Sequence, residues 1–199
     1  MTQEKREERT DKELAAAVIA GDEGAAVEFV RRYERLVTHI VFRMICNASD
    51  REDLCQDVFL RVLKNLKRFR HESKLSTWIG QIAHNHCINY LKKKRSVLFD
   101  DNTQTITIEN VAGESRTPEE LAQASDLSAS VQKEISKLKI PYRTVLTLYH
   151  VDEMSYAEIA EIMSMPEGTV KSYLFRARKM LSKALENQYR RESLCSTAI

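Results

Sequence analysis

Glycine and proline are scarce in this sequence, and their scarcity limits the folds that the chain can adopt. The 199 residues include 5 Gly and 3 Pro, which is roughly a third of the usual frequencies. β-Sandwiches and barrels need many turns, which Gly and Pro favour, so the composition argues against both architectures. It also argues against a collagen-like chain and against disorder of the Pro/Gly-rich kind. With 43% hydrophobic and 30% charged residues, the sequence is typical of a globular, charge-rich protein.

No segment has the composition of a membrane span or of a signal peptide. The longest apolar run covers residues 14–20, whereas a membrane helix needs about 20 residues. The opening residues, MTQEKREERTDKE, are densely charged and contain no signal-peptide hydrophobic region. The cysteines have no CxxC spacing, which is typical of reduced thiols; they are Cys46, Cys55, Cys87 and Cys195. We therefore expect a soluble, cytoplasmic protein without membrane insertion.

Helix-starting patterns recur along the chain and predict an all-α fold. A capping box pairs a Ser or Thr with a Glu three residues later, and we assign four helix starts to such pairs: Thr10–Glu13, Ser49–Glu52, Ser155–Glu158 and Ser164–Glu167. Asp22 and Ser76 are predicted to cap two further helices. Apolar residues follow at helical spacing, as in the stripe of Ile79, Ile82, Ala83, His86, Cys87 and Tyr90.

An acidic stretch divides the chain into two small helical domains. Residues 99–126 carry seven acidic side chains and one basic side chain, so the net charge of +2 conceals a strongly acidic linker between more basic segments. Pro118 is predicted to restart the helical structure, and Pro141 to break the chain before a helix over 145–151. We expect a charged tail at 1–10, domains at 11–98 and 118–189 joined by an acidic linker at 99–117, and a C-terminal tail at 190–199.

Residues 155–181 have the pattern of a helix-turn-helix. The first helix aligns Tyr156, Ile159, Ala160 and Met163, and the second aligns Val170, Leu174, Ala177 and Leu181. In this motif the second helix enters the major groove of DNA. The other face of that helix carries the residues that could contact DNA, namely Lys171, Ser172, Phe175, Arg176 and Lys179.

The residue types on this face suit base and phosphate recognition. Arg and Lys pair with guanine edges or phosphates, Ser contacts either, and an exposed Phe can touch a thymine methyl group. Residues 166–191 hold seven basic and two acidic side chains. The alternative is a solvated basic face on an ordinary helical hairpin. The combination of capping boxes, a short turn and a one-sided basic helix favours DNA.

The first domain also combines basic and aromatic residues. Residues 51–98 include eleven basic and four acidic side chains, with Phe69, Trp78 and Tyr90 between them. Bases of single-stranded DNA stack on aromatic rings beside a charged path, and the loop at 70–74 could hold a flipped base. Trp78 and Tyr90 could instead belong to the core.

The third predicted helix begins with acidic residues. They are Glu52, Asp53 and Asp57, accompanied by Gln56. The helix dipole favours acids in a first turn, while the helical spacing of these side chains suits a protein-docking face. The residues alone are compatible both with a favourable interaction with the helix dipole and with a protein-docking face.

Residues 11–185 resemble extracytoplasmic-function (ECF) sigma factors of the sigma-70 family. The segments GDEGAAVEFVRRYERLV (21–37), DREDLCQDVFLRVLKNLKRF (50–69) and STWIGQIAHNHCINYLKKKR (76–95) are similar to conserved regions 2.1 to 2.4. Residues 140–181 are similar to region 4. The resemblance implies a promoter-specific initiation factor that binds core RNA polymerase and promoter DNA, is inhibited by an anti-sigma partner, and is not itself an enzyme.

The resemblance also implies roles for individual residues. The β′ clamp of the polymerase would bind Glu52, Asp53, Gln56, Asp57 and Leu60. The melted −10 element would bind Arg70, His71, Glu72, Ser73, Lys74, Gln81, His84, Asn85 and Ile88. The duplex −35 element would bind Lys171, Ser172, Phe175 and Arg176, with Arg178 and Lys179 on phosphates, while region 4 would also touch the β flap. Tyr173 stands where the family often has Arg, and His84 stands where a basic residue is common. The acidic linker would lie in the RNA exit channel of the polymerase.

Two other functions compete with the sigma-factor interpretation, and features of the sequence argue against both. A helix-turn-helix repressor or activator would bind duplex DNA without polymerase, but the basic and aromatic first domain and the acidic linker argue against it. An enzyme is disfavoured because no Walker loop, nucleophile elbow or paired-carboxylate site occurs. The sequence HNHC places His84, His86 and Cys87 on one helix, where they cannot readily converge on a metal, and no fourth ligand is apparent. We expect no catalytic residues, metal or cofactor.

Overall fold

A computed structural model describes residues 9–98 and 126–196 as an arrangement of α-helices without strands. In chain order the helices are α1 (Asp11–Ile19), α2 (Glu23–Met44), α3 (Ala48–Asn65), α4 (Leu75–Leu98), α5 (Asp126–Ser136), α6 (Ile140–His150), α7 (Tyr156–Met163) and α8 (Glu167–Ser196), with a 3-10 turn at Leu66–Arg68. The all-α prediction is confirmed. The predicted linker, and with it the predicted helix start at Pro118, lies outside the described residues.

Helix α2 forms the centre of the N-terminal domain, and α1, α3 and α4 pack around it. The apolar face of α2 is buried, including Phe29, Ile40 and Met44. At its C-terminal end the Arg51 guanidinium of α3 donates from Nε to the Ile45 carbonyl oxygen at 3.0 Å and lies over the Phe42 ring. This buried arginine ties the start of α3 to the end of α2, because it satisfies a helix-end carbonyl away from water.

The C-terminal domain contains α5 to α8, with α8 packed against α5, α6 and α7. The predicted stripe of α8 is buried at Val170, Leu174 and Ala177, and α7 buries Ile159 and Met163. Helix α8 continues to Ser196, beyond the end predicted near residue 189. The helix-turn-helix predicted for residues 155–181 corresponds to α7, a short turn and the first half of α8.

Three of the predicted caps are present. Thr10 and Glu13 form a capping box at α1, as do Ser155 and Glu158 at α7. The Asp22 carboxylate accepts from the Ala25 backbone N–H at 3.0 Å and starts α2. Each satisfies backbone donors that lack a partner within the helix.

Other predicted starts were wrong. Asn47, rather than Ser49, caps α3, and its side-chain oxygen accepts from the Ser49 backbone N–H. Ser76 lies inside α4, which begins at Leu75. Ser164 adopts the left-handed conformation that ends α7, so it does not start α8. Pro141 lies within the first turn of α6, where its missing N–H costs nothing, rather than before the helix.

The two domains pack directly against each other, which the sequence did not predict. Helix α4 lies against α7, and α2 lies against α6. A Cβ at Gly80 would come 2.9 Å from Cδ1 of Ile162, so the close approach of α4 and α7 requires a residue without a side chain at this position. Within the described ranges, no helix has both the length and the apolar character that crossing a membrane would need.

The Asn47 cap at the start of α3 can be tested by its effect on stability. We expect Asn47→Ala to lower the free energy of unfolding by about 1 kcal/mol, because the N-cap oxygen is lost. Ser49→Ala, which removes a hydroxyl of the same helix start, should cost much less. Urea denaturation of both variants measures the difference, and equal losses would contradict the assignment of Asn47 as the cap.

Candidate nucleic-acid interface

One face of α8 exposes the side chains predicted to contact duplex DNA. Lys171, Ser172, Arg176 and Lys179 are exposed, and Phe175 is 68% exposed. A phenylalanine that accessible contributes nothing to the core, and it lies among the basic residues opposite the buried stripe. The Ser172 hydroxyl donates to the Gly168 carbonyl oxygen at 2.9 Å, so its oxygen remains free to accept a hydrogen bond.

Neighbouring elements orient two of the predicted cationic contacts. The ammonium of Lys171 lies 5.5 Å from the centre of the Tyr156 ring of α7. The Arg178 guanidinium lies over the Tyr149 ring of α6, with Nε 3.2 Å from Nε2 of His150. Burial and the nearby Arg178 charge lower the pKa of His150, so the imidazole is suited to accept a hydrogen bond. These contacts hold the side chains of Lys171 and Arg178 in place at the exposed basic face of α8.

Tyr173 differs from the other predicted contacts on α8. Its ring is half-buried and meets the Tyr142 ring edge-on, with 5.3 Å between the centroids. In this position the aromatic ring packs α6 against α8. A DNA contact by Tyr173 would therefore use the hydroxyl end of the side chain alone.

The loop before α4 forms a second exposed surface. Arg70, His71 and Glu72 are exposed there. His71 has a φ of 57°, an uncommon conformation for a residue with a side chain, and its ring meets that of Phe69 edge-on at 4.6 Å. Phe69 also contacts Trp78 at 5.3 Å. Trp78 and Tyr90 are half-buried against the core, which fits the core alternative while leaving part of each ring accessible.

The predicted contacts along α4 are divided between solvent and the domain interface. Asn85 is exposed and Ile88 is half-buried. Gln81 donates from Nε2 to the Glu161 carbonyl oxygen of α7 at 3.3 Å, and His84 is 3% exposed. In this arrangement His84 cannot reach DNA, and Gln81 is engaged by the other domain.

Lys74, at the start of this surface, forms an ion pair with α7. Its ammonium lies 2.9 Å from Oε1 of Glu158. Burial acts to raise the pKa of Glu158, but hydrogen bonds from Lys74 and from the Ser155 side chain and backbone outweigh burial and hold it at about 2. The hydrogen bond to Glu158 raises the pKa of Lys74. Both groups are therefore charged at neutral pH.

Helix α3 presents the predicted docking residues on one exposed face. Glu52, Asp53, Gln56 and Asp57 are exposed, and Leu60 is 66% exposed. The opposite face buries Leu54, Val58 and Val62. The acidic side chains occupy the second and third turns of α3, and the accessible leucine lies one turn farther along the same face, so the face combines charged and apolar groups as protein interfaces do.

The sequence did not reveal the polar contacts between the domains. Nδ1 of His39 lies 2.7 Å from Oδ1 of Asp152, and Arg35 donates to the Val151 carbonyl oxygen at 3.2 Å. Arg43 donates to the Gln132 side chain at 2.7 Å. No periodicity or motif connects residues so far apart in the chain. Among the described residues, no group of three His, Cys, Asp or Glu side chains is placed to hold a metal ion.

Family models match both domains. The model for sigma-70 region 2 matches residues 29–97, and that for sigma-70, region 4 matches residues 128–181. The ECF RNA polymerase sigma factor SigW of Bacillus subtilis is 34% identical over 172 residues, which cover 84% of this chain and 92% of that protein. The chain belongs to the ECF group of the sigma-70 family.

Another relative agrees with this assignment, and two solved structures are similar in fold. The ECF sigma-E factor of Escherichia coli K12 is 33% identical over 190 residues, which cover 93% of the present chain and 99% of the E. coli protein. CnrH, solved in complex with the cytosolic domain of CnrY, superposes with a TM-score of 0.62 at 23% identity, covering 89% of this chain and 97% of CnrH. RpoE of Bartonella quintana, solved with the anti-sigma factor NepR, superposes with a TM-score of 0.60 at 23% identity, over 80% of this chain and 97% of RpoE. These two structures share the fold.

The burial of His84 predicts a pH dependence of stability. Burial lowers its pKa to about 4, below the value of about 6.5 for an unfolded histidine. The contribution of neutral His84 is complete above pH 6.5 and is lost as the pH falls towards 4, because protonation then favours the unfolded chain. The shift corresponds to a loss of up to about 3 kcal/mol.

Urea denaturation from pH 7.5 to 4.5 compares the wild type with His84→Asn. We expect the variant to lose less stability over this range, while His71→Gln, at an exposed histidine, follows the wild type. His86, whose pKa burial also lowers, is unchanged in all three proteins. Parallel curves for the wild type and His84→Asn would contradict the prediction.

Proposed function

We propose that this sigma factor reads promoters with both domains. Helix α8 contacts the −35 element as duplex, and the 70–74 loop with the exposed face of α4 contacts the −10 element as melted single strand. The observation that carries the proposal is the exposed face of α8, where Lys171, Phe175 and Arg176 lie together opposite a buried stripe. Groups that can contact base edges and phosphates are thus presented on one side of a helix in a helix-turn-helix.

The α3 face is the proposed docking surface for core RNA polymerase, at the β′ clamp. Its acidic side chains suit a basic partner surface, and Leu60 supplies the apolar contact that burial would stabilise. The C-terminal domain offers a second site, an apolar cavity of about 580 Å³ between α5, α6 and α8 that includes Ile135, Leu146 and Leu181. We propose this cavity as the place where the β flap of the polymerase contacts the C-terminal domain.

An anti-sigma partner is the proposed regulator. CnrH and RpoE were solved with partner proteins, CnrY and the anti-sigma factor NepR. A partner that covers the α3 face or the apolar cavity would compete with polymerase for the same side chains. As a polymerase subunit the protein would act in the cytoplasm and would not itself be an enzyme.

Run-off transcription tests the proposed function. Core polymerase with this protein should start transcripts at promoters of the source genome, and core polymerase alone should not. A chain that footprints duplex DNA by itself but starts no transcript with polymerase would be a helix-turn-helix repressor or activator.

Arg176 provides a test of −35 recognition. We expect Arg176→Ala to weaken binding to duplex −35 DNA by about 1–3 kcal/mol if the guanidinium makes a bidentate base contact. Lys183→Ala removes the same charge from an exposed position farther along α8 and should cost less. Fluorescence anisotropy with labelled duplex measures both variants, and equal losses would show that charge alone accounts for the effect.

The docking surface has its own test. We expect Asp53→Arg combined with Gln56→Ala to weaken binding to core polymerase at least tenfold, because one carboxylate of the face is replaced by a cation and an amide is lost, while duplex binding is unchanged. Glu23→Arg, a charge reversal at an exposed position at the start of α2, is the control. A double variant that keeps its polymerase affinity, or that loses duplex binding instead, would contradict the division of work between the domains.

A further inference from the structure

We propose that Tyr149 and Tyr156 position Lys171 and Arg178 for contact with the phosphate backbone of duplex DNA. These four side chains form an aromatic ladder along one flank of α8. The proposal rests on the proposed function, since it concerns how the C-terminal domain holds the −35 duplex. It adds two residues that lie outside α8, and it assigns Lys171 to the backbone while leaving base edges to the centre of the exposed face.

Lys171 and Arg178 lie on the same flank of α8. They are separated by two turns of the helix, or about 10 Å along its axis. Each directly follows a buried residue, Val170 or Ala177, so both lie at the border between the buried stripe and the exposed face. A helix with its side chains is about as wide as the major groove, roughly 10–12 Å. The flanks of a helix in that groove therefore meet phosphates, while its central residues face the bases.

The two tyrosines lie against this flank as a stacked pair. Tyr149 is in the last turn of α6 and Tyr156 is the first residue of α7. Their ring centroids are 5.2 Å apart, with an angle of 15° between the ring planes. The Lys171 ammonium lies 5.5 Å from the centre of the Tyr156 ring, and the Arg178 guanidinium lies 5.2 Å from that of Tyr149. Each ring of the pair thus attracts one cation, and residues of three helices form one continuous unit.

His150 holds the Arg178 guanidinium from a second direction. Nε2 of His150 lies 3.2 Å from Nε and 3.1 Å from Nη2 of Arg178, and the imidazole meets the Tyr149 ring edge-on, with 4.9 Å between the centroids. Two neighbouring side chains of α6 therefore restrict the conformations open to Arg178. Restricting the guanidinium before DNA binds reduces the conformational entropy that binding would otherwise remove.

The aromatic ladder orients its cations without neutralising them. Among the described residues, Arg178 forms no ion pair with a carboxylate. Lys171 has one such contact, with Glu167 at 4.0 Å, in which both side chains are more than half exposed, so solvent weakens the pair. An aromatic ring or a neutral imidazole leaves the positive charge in place, whereas a tightly held carboxylate would have to be displaced by an incoming phosphate. Both cations are therefore available for charge-assisted hydrogen bonds to phosphate oxygens.

Removing one ring of the aromatic ladder tests the proposal. We expect Tyr149→Leu to weaken binding to duplex DNA roughly fivefold, because Arg178 loses the ring that orients it. The loss should be equal for a promoter duplex found by run-off transcription and for that duplex with a scrambled −35 sequence, because phosphates carry no sequence information. Fluorescence anisotropy from about 50 to 200 mM KCl should show a slope of log affinity against log salt that is shallower by about 1, as for one lost phosphate contact.

Tyr149→Phe keeps the ring and is the matched control, so its affinity and salt slope should equal those of the wild type. Tyr149 does not line the cavity between α5, α6 and α8, so neither variant alters that lining. Partial unfolding, measured by urea denaturation, would lower the apparent affinity without changing the salt slope. Tyr156→Leu repeats the test at the Lys171 end of the aromatic ladder. Salt slopes that stay at the wild-type value in both leucine variants would overturn the proposal, and so would losses confined to the promoter duplex.

A double-mutant cycle tests whether Tyr149 acts through Arg178. Arg178→Met removes the guanidinium and keeps a flexible stem. In that background we expect Tyr149→Leu to change duplex affinity by less than about twofold, because the cation that the ring positions is gone. A loss as large as in the wild-type background would show that the two side chains act independently and would overturn the positioning role. Wild-type protein that starts no transcript would instead overturn the proposed function, and the scrambled duplex would still test the aromatic ladder.

Discussion

Helix α4 connects the two halves of the molecule because two of its faces are packed. One face, with Ile79, Ala83 and Cys87, is buried in the N-terminal core, and the adjoining face carries Gly80 and His84. The missing side chain at Gly80 lets α7 approach closely enough for Ile162 to be buried against it. A larger residue there would separate the helices, and the polar contacts that flank this point would be lost with it.

The burial of His84 on α4 also determines the charge of this side chain. A histidine with a pKa of about 4 is neutral at physiological pH, so the packed helix carries no uncompensated cation at that position. Charged pairs occur instead towards the edges, at Lys74 with Glu158, where water moderates their cost. This distribution, with an apolar centre and charged edges, is typical of interfaces that form and dissociate.

The sequence predicts the helices and their buried faces well because these depend on local spacing. The predicted stripe of α8 is buried at Val170, Leu174 and Ala177 and half-buried at Leu181, and the capping boxes at Thr10 and Ser155 are present. The capping prediction failed at Ser49 and Ser164 because a cap depends on backbone conformation, which the residue type alone does not determine. At Ser164 the left-handed φ of 52° ends one helix instead of starting the next.

Contacts between distant residues are beyond this kind of sequence reasoning. The resemblance selects Gln81 from its position on α4, but its hydrogen bond is to α7, which lies about eighty residues away in the chain. The near-complete burial of His84 is likewise not evident from the residues around it. Similarly, nothing in the residues around Asp152 indicates that it faces His39 of α2. The predictions for the exposed faces of α3 and α8 needed no such information, since each face is defined by the buried stripe of its own helix.

The accessible surfaces differ in what their exposure costs. Leu60 and Phe175 are the two most exposed large apolar side chains among the described residues, and neither lies where the domains meet. Exposed apolar groups on a folded protein are favourably buried by a partner, so both sites are ready to bind one without rearrangement. The exposed face of α4 is instead partly covered by α7, where Gln81 donates to the Glu161 carbonyl oxygen. In this arrangement of the domains the fully accessible surfaces are therefore those of α3 and α8.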